Sequence, residues 1–204
     1  MIYTEAKLDI DTQAIAKKVI SLKKLWISRS NKFPFFTLGR CAYLDGKTEA
    51  YYKDSVWQND ILLKNFADLY ITVNEWLSKT FKTSVCLAKD LSIPGFHIFP
   101  SSQKSIGISG KWHVDLPHKI LDIETKTNGA YTVAIKIPSS GAGIDYIDNE
   151  ACENFLPYTE SNIILHSGSD FHRIASIKKY IPKEYRITLQ GHIINRDDKL
   201  EVYW

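Results

Sequence analysis

The sequence predicts an α+β chain with a mainly β core: a double-stranded β-helix of jelly-roll type, with N-terminal helices packed outside. Three observations carry this. Two apolar stripes at helical spacing come first; after Thr83 the pattern changes to short runs rich in β-branched and aromatic residues; and those runs are separated by Pro, Gly, Ser or Asn clusters. Several short strands with such breaks build a sandwich or barrel, and helices outside it favour the jelly roll. At 204 residues with 44% hydrophobic side chains, the chain buries a sizeable core as one domain. Its helical part is expected over about 1–83 and its jelly-roll core over about 84–204.

The first helix starts after Asp11, a suitable N-cap, and carries Ile15, Val19, Leu22 and Trp26 on one face, with lysines opposite. Residues 33–40 and 43–46 read as extended chain with a turn at Asp45-Gly46. A second helix is expected from about Ser55 to Phe81, with Leu62, Phe66, Leu69, Val73 and Leu77 as its core stripe. Strands follow at 84–87, 95–99, 131–137, 162–165 and 185–190. The segment 139–143 reads as a surface loop.

The chemistry concentrates in His113-Val114-Asp115 and in the later His172 and Arg186. Residues two apart on a strand face the same side, so His113 and Asp115 present an imidazole and a carboxylate to one point. A second imidazole completes a two-His-one-carboxylate set, which covers one face of an octahedral ion and leaves the opposite positions open. His172 and His166 compete for that third place. His97 and His192 have no partner pattern of their own, and His118, three residues after Asp115, reads as an entrance residue or, more plainly, a turn histidine after Pro117.

The order of these parts resembles the Fe(II)/2-oxoglutarate-dependent oxygenases. Their pattern runs His-x-Asp, a distal His often followed by Arg, and then an Arg with Ser or Thr two residues on; here it is His113-Val114-Asp115, His172-Arg173 and Arg186-Ile187-Thr188. The resemblance covers about the C-terminal half of the chain and is specific to the superfamily, not to a substrate. It implies that His113, Asp115 and His172 hold Fe(II), with His172 preferred because Arg173 follows it and Arg186 comes next; His166 then reads as buried at the end of the preceding strand or as a partner behind the ligands. It also implies that Arg186 holds the far carboxylate of 2-oxoglutarate. A planar guanidinium suits that task through two parallel hydrogen bonds, and Thr188, on the same face, can add its hydroxyl.

The implied reaction couples decarboxylation of 2-oxoglutarate to oxidation of a substrate by O2. Family members that halogenate usually lack the carboxylate ligand, so Asp115 favours hydroxylation, with desaturation and ring formation open. A chain with few insertions suits a small molecule, such as an amino acid or a metabolite derived from one. Arg40, Tyr43, Trp112, His118 and Tyr131 are the candidates to line its pocket. Two alternatives stand beside this: a cupin-like metal enzyme that uses no 2-oxoglutarate, and an inactive jelly-roll binding module.

The remaining composition narrows the setting. A net charge of +3 with dispersed lysines argues against nucleic acid as a partner. Three widely spaced cysteines with no Cys-x-x-Cys argue against a disulfide framework and suit a reducing cytoplasm. No signal peptide or membrane span is expected.

Overall fold

In the structure, a computed structural model that describes residues 4–196 and 199–204, a large and a small β-sheet line one cavity. The chain runs β1 (Thr4–Lys7), α1 (Thr12–Ser21), β2 (Ile27–Ser28), β3 (Phe36–Leu38), α2 (Ala42–Asp45), α3 (Glu49–Phe81), β4 (Val85–Leu87) and β5 (Gly95–Pro100). It continues through α4 (Pro117–Ile120), β6 (Asn128–Lys136), β7 (Gly143–Ile147), β8 (Glu153–Pro157), β9 (Asn162–His166), β10 (His172–Ile174), β11 (Tyr185–Arg196) and β12 (Lys199–Tyr203). The large sheet has the order β1-β9-β6-β11-β5-β3-β2, with β12 beside β11 and β4 beside β12; the small one is β10-β7-β8.

Strand β11 is the spine of this arrangement. One edge pairs with β6 from Ile187 to Ile194, while the other pairs with β5 up to Gln190 and with β12 from His192. Alternation along it divides the molecule. Ile187, Leu189 and Ile193 join Phe96, Ile98, Val133 and Ile135 in the main core, where Leu62, Phe66, Leu69, Val73 and Leu77 of α3 and Val19 of α1 meet them. Each such side chain contributes about 1.5–3 kcal/mol when fully buried. Arg186, Thr188, Gln190 and His192 take the other face. The helices therefore lie outside a mainly β core, as expected for a jelly roll.

Several boundaries differ from the sequence reading. The N-terminal part is not purely helical, because β1, β2 and β3 enter the large sheet through β9 and β5. Helix α1 is capped by Asp11, whose carboxylate accepts from the Ala14 N–H at 2.9 Å, but it stops at Ser21. Trp26 lies beyond it, with its indole N–H on the Val19 carbonyl at 3.1 Å and its ring 5.7 Å from that of Phe36. Residues 43–46 are not extended: Asp45 accepts from the Cys41 N–H at 2.9 Å and closes the short helix α2, which ends at Gly46 with φ of 62°. Helix α3 begins at Glu49, where the Thr48 hydroxyl caps the Tyr51 N–H at 3.1 Å. It kinks at Phe66 without Pro or Gly; the Asn65 side chain donates to the Ile61 carbonyl at 2.8 Å and competes with the helical ladder there. Among the described residues, no helix is long and apolar enough to cross a membrane.

Candidate metal centre

Backbone pairing brings the candidate ligands together. His113 and His172 exchange both backbone hydrogen bonds at 3.0 Å, and the Asp115 N–H donates to the Gly168 carbonyl at 2.6 Å. Residues 112–115 thus run antiparallel to the start of β10 with only a single bridge, at His113, in place of a full strand. Gly168 permits the approach: its φ is 75°, and a Cβ there would stand 2.9 Å from the Asp115 carbonyl oxygen. One ligand atom each from His113, Asp115 and His172 then lies within 4.8 Å of the others.

Each histidine is oriented from behind. The Nδ1 of His113 meets the Lys111 carbonyl at 2.7 Å and that of His172 meets the Asp170 carbonyl at 2.8 Å. A carbonyl only accepts, so each Nδ1 carries a proton and Nε2 is the nitrogen that faces a metal, in His172 once the proton it shares with Asp115 is displaced. His172 is buried, while His113 is 46% exposed and forms the outer side of the centre. Burial by itself pushes the Asp115 carboxyl up, but the hydrogen bond from His172 and the surrounding imidazoles outweigh it and hold the group well below the usual carboxylate range. The His172 Nε2 is 3.2 Å from Asp115 Oδ2.

The same logic separates His166 from His172. The His166 Nδ1 accepts the Gly168 N–H at 3.1 Å, and burial lowers this imidazole to about 3, so it is neutral. A neutral ring that accepts at Nδ1 carries its proton on Nε2, which lies 4.0 Å from Asp115 Oδ2. His166 therefore turns an N–H, and no lone pair, toward the Asp115 carboxylate, at a distance too long for a direct hydrogen bond.

The centre opens into a cavity of about 650 Å³ to which both sheets contribute, with Thr132, Gln190 and His192 from the large one and Ile144 and Ile174 from the small one. A recess of about 120 Å³ shares Phe35, Gly110 and Ile174 with it and holds Arg186. Arg186 is 4% exposed, its guanidinium sits 4.0 Å over the Phe99 ring, and Nη1 donates to the Ala175 carbonyl at 3.3 Å. Burial lowers it to about 10. Among the described residues no carboxylate pairs with it, and a buried cation without one is costly unless an anion completes it. Thr188 follows on the same face, buried between His97 and Ala134, outside the lining of either space.

The five candidate substrate residues divide. Tyr43 lines the cavity and places its hydroxyl on His97 Nε2. Tyr131 touches the cavity, but its ring belongs to the core under the helices, over Gly191, where a Cβ would stand 2.6 Å from it. Arg40 is spent on Asp45 and Asp54 at 2.8 and 2.6 Å, Trp112 lies under the Arg173 guanidinium at 4.3 Å, and His118 is buried in α4. None of these three is in the lining. The lining residues that sequence reasoning missed include His97, Gln190, His192, Thr132 and Tyr158. Period-two spacing onward from Arg186 was the signal for Gln190 and His192.

The chain matches no protein-family profile and no curated protein. Solved structures do match. An N-substituted L-amino acid dioxygenase from Burkholderia ambifaria AMMD superposes with a TM-score of 0.61 at 9% identity, covering 99% of this chain and 86% of that one. A Pseudomonas putida prolyl-4-hydroxylase gives 0.51 at 11%, covering 95% and 92%. The non-haem alpha-ketoglutarate-dependent epimerase SnoN from nogalamycin biosynthesis gives 0.52 at 8%, covering 94% and 79%; alpha-ketoglutarate is 2-oxoglutarate. At these identities the likeness establishes architecture: the chain has the jelly-roll fold on which these 2-oxoglutarate-dependent enzymes are built.

Proposed function

We propose that this chain is a non-haem Fe(II)- and 2-oxoglutarate-dependent dioxygenase that hydroxylates a small molecule, an amino acid or a metabolite derived from one. The observation that carries it is the meeting of His113, Asp115 and His172 within 4.8 Å beside a buried Arg186 that has no carboxylate partner among the described residues. Two nitrogens and one carboxylate oxygen are a donor set that fits Fe(II). The matching dioxygenase is also described in complex with alpha-ketoglutarate, and SnoN with Fe3+ and alpha-ketoglutarate.

In this reading His113, Asp115 and His172 hold the metal, which when bound supplies activation of O2 coupled to decarboxylation of 2-oxoglutarate. Lys111 and Asp170 carbonyls keep the two Nε2 atoms aimed, and His166 steadies the Asp115 carboxylate. Arg186 fixes the far carboxylate of the cosubstrate, with Thr188 on the same face, and apolar walls exclude water from the reacting groups. Asp115 supports hydroxylation over halogenation. A cupin-like enzyme without 2-oxoglutarate has no use for the Arg186 guanidinium. The chain acts as one catalytic domain over residues 1–204, takes O2 and a small molecule, and needs neither nucleic acid nor a membrane. A cytoplasmic setting agrees with three free cysteines. The test is succinate formation from 2-oxoglutarate with Fe(II) under air: the parent forms it and Asp115→Ala does not. Equal succinate from both, with both folded, contradicts the proposal.

A further inference from the structure

We propose that Lys111 selects the substrate, and that the main cavity takes a small carboxylic acid whose body is otherwise uncharged and apolar. The inference rests on the function proposed above, whose substrate class it narrows.

Lys111 stands on the row that carries two of the metal ligands. Residues two apart on extended chain share a side, and Lys111, His113 and Asp115 all line the main cavity, whereas Trp112 between them lies under the Arg173 guanidinium. The backbone fixes the root of the lysine: the Gly110 N–H donates to the Ile174 carbonyl at 2.9 Å, and the Lys111 carbonyl receives His113 Nδ1 at 2.7 Å. The side chain itself is exposed, and among the described residues no acid pairs with its ammonium. A cation thus stands at the open side of the cavity, beside the half-exposed His113.

Charge decides what this cation takes. Among the lining residues Lys111 is the one lysine or arginine and Asp115 the one carboxylate. Burial lowers His97 and His166 to about 3 and lowers His192 as well, so these rings add no charge. In the loaded site, Asp115 and the near carboxylate of 2-oxoglutarate meet the charge of the metal, and Arg186 in the adjoining recess meets the far carboxylate. The Lys111 ammonium is then left over, and an anionic group on the substrate completes it; on a metabolite derived from an amino acid that group is a carboxylate. A cationic group finds no free acid and is repelled by the lysine, so the ammonium of a free amino acid works against its own carboxylate. The body of the ligand meets Phe35, Leu44, Val114, Leu116 and Ile120, and Leu44 and Ile120 are 42% and 41% exposed, apolar area that a ligand can cover. A cavity of about 650 Å³ has room for such a body. An acid whose amine is acylated or absent meets both demands.

The test uses probes of one skeleton: phenylpropionate and N-acetylphenylalanine as acids, phenylpropionamide as the neutral reference, and phenylpropylammonium and phenylalanine as carriers of a free ammonium. Each is titrated calorimetrically into protein saturated with redox-inert Zn(II) and 2-oxoglutarate. The acids are expected to bind about fivefold tighter than the amide, the range of one exposed ion pair, and the two ammonium carriers weaker than the amide. Lys111→Met keeps the stem of the side chain and the backbone carbonyl behind His113 and abolishes the preference, Lys111→Glu turns it toward phenylpropylammonium, and higher ionic strength shrinks it in the parent. An exposed position tolerates both substitutions, and the parent's own order and salt dependence are read without either. Acids that bind no tighter than the amide in the parent, or a preference that survives Lys111→Met, overturn the inference. A chain that never loads metal and 2-oxoglutarate refutes the proposed function instead; one that loads both without preferring acids refutes only this inference.

Discussion

Replacing Arg186 by Met removes the cation at the end of the small recess and leaves most of its volume filled. The guanidinium is 4% exposed and makes one long bond, to the Ala175 carbonyl at 3.3 Å, so its remaining donors are available to a carboxylate. Two charge-assisted bonds contribute about 1.5–3 kcal/mol each. Even the lower end, about 3 kcal/mol, corresponds to about a hundredfold loss in 2-oxoglutarate affinity. Iron affinity stays, because Arg186 is outside the donor set. Met also lays a thioether over Phe99 in place of the cation, and removal of a buried charge without a partner leaves the thermal midpoint of the ligand-free protein unchanged or higher. Arg186→Lys keeps a charge without the fork and falls between. The assay is anaerobic calorimetric titration of 2-oxoglutarate into Fe(II)-loaded protein. A Met variant that binds 2-oxoglutarate within threefold of the parent removes Arg186 from the cosubstrate site.

Two further outcomes follow from the metal centre. His166→Gln, which alters a group behind Asp115, is expected to cost about tenfold to a hundredfold in Fe(II) affinity, and His172→Gln, which removes a ligand, more than that; the reverse order in metal titrations reassigns the third ligand. Burial lowers the His172 imidazole, but its hydrogen bond to Asp115 outweighs this and raises it above the ordinary value. In metal-free protein the pair therefore stabilises the fold below that raised value and the contribution is lost as the pH rises through it. Fe(II) must displace the same proton, so its affinity rises over the same range. Thermal midpoints and Fe(II) titrations across pH check both trends, and a pH-independent affinity contradicts them.

The meeting of His113, Asp115 and His172 was legible because a chelating pair repeats with the strand period and the distal histidine opens a strand. Strands β5, β6, β9 and β11 were legible for a related reason: their residues are buried on both faces and read as apolar runs. Strands β7 and β8 were not, since Asp145, Tyr146, Glu153 and Asn154 keep them part-exposed and polar. The first six residues of α3 were missed because Glu49, Lys53 and Asp54 interrupt any apolar stripe. Arg173 after His172 was the local signal that preferred it over His166; the physical difference between the two rings lies in the Gly168 N–H, which a backbone with positive φ turns onto His166. Arg40 looked like a pocket cation, yet its charge is committed to Asp45 and Asp54, and such pairing is a tertiary fact.

The central claim is that one ion and 2-oxoglutarate share the site formed by His113, Asp115, His172 and Arg186. Anaerobic titration of the protein with Fe(II) and 2-oxoglutarate, followed by visible absorption, tests it most directly. The account predicts a charge-transfer band that saturates at one equivalent of each and disappears in Asp115→Ala. A folded protein that develops no band, or an Asp115→Ala variant that develops the same one, contradicts it.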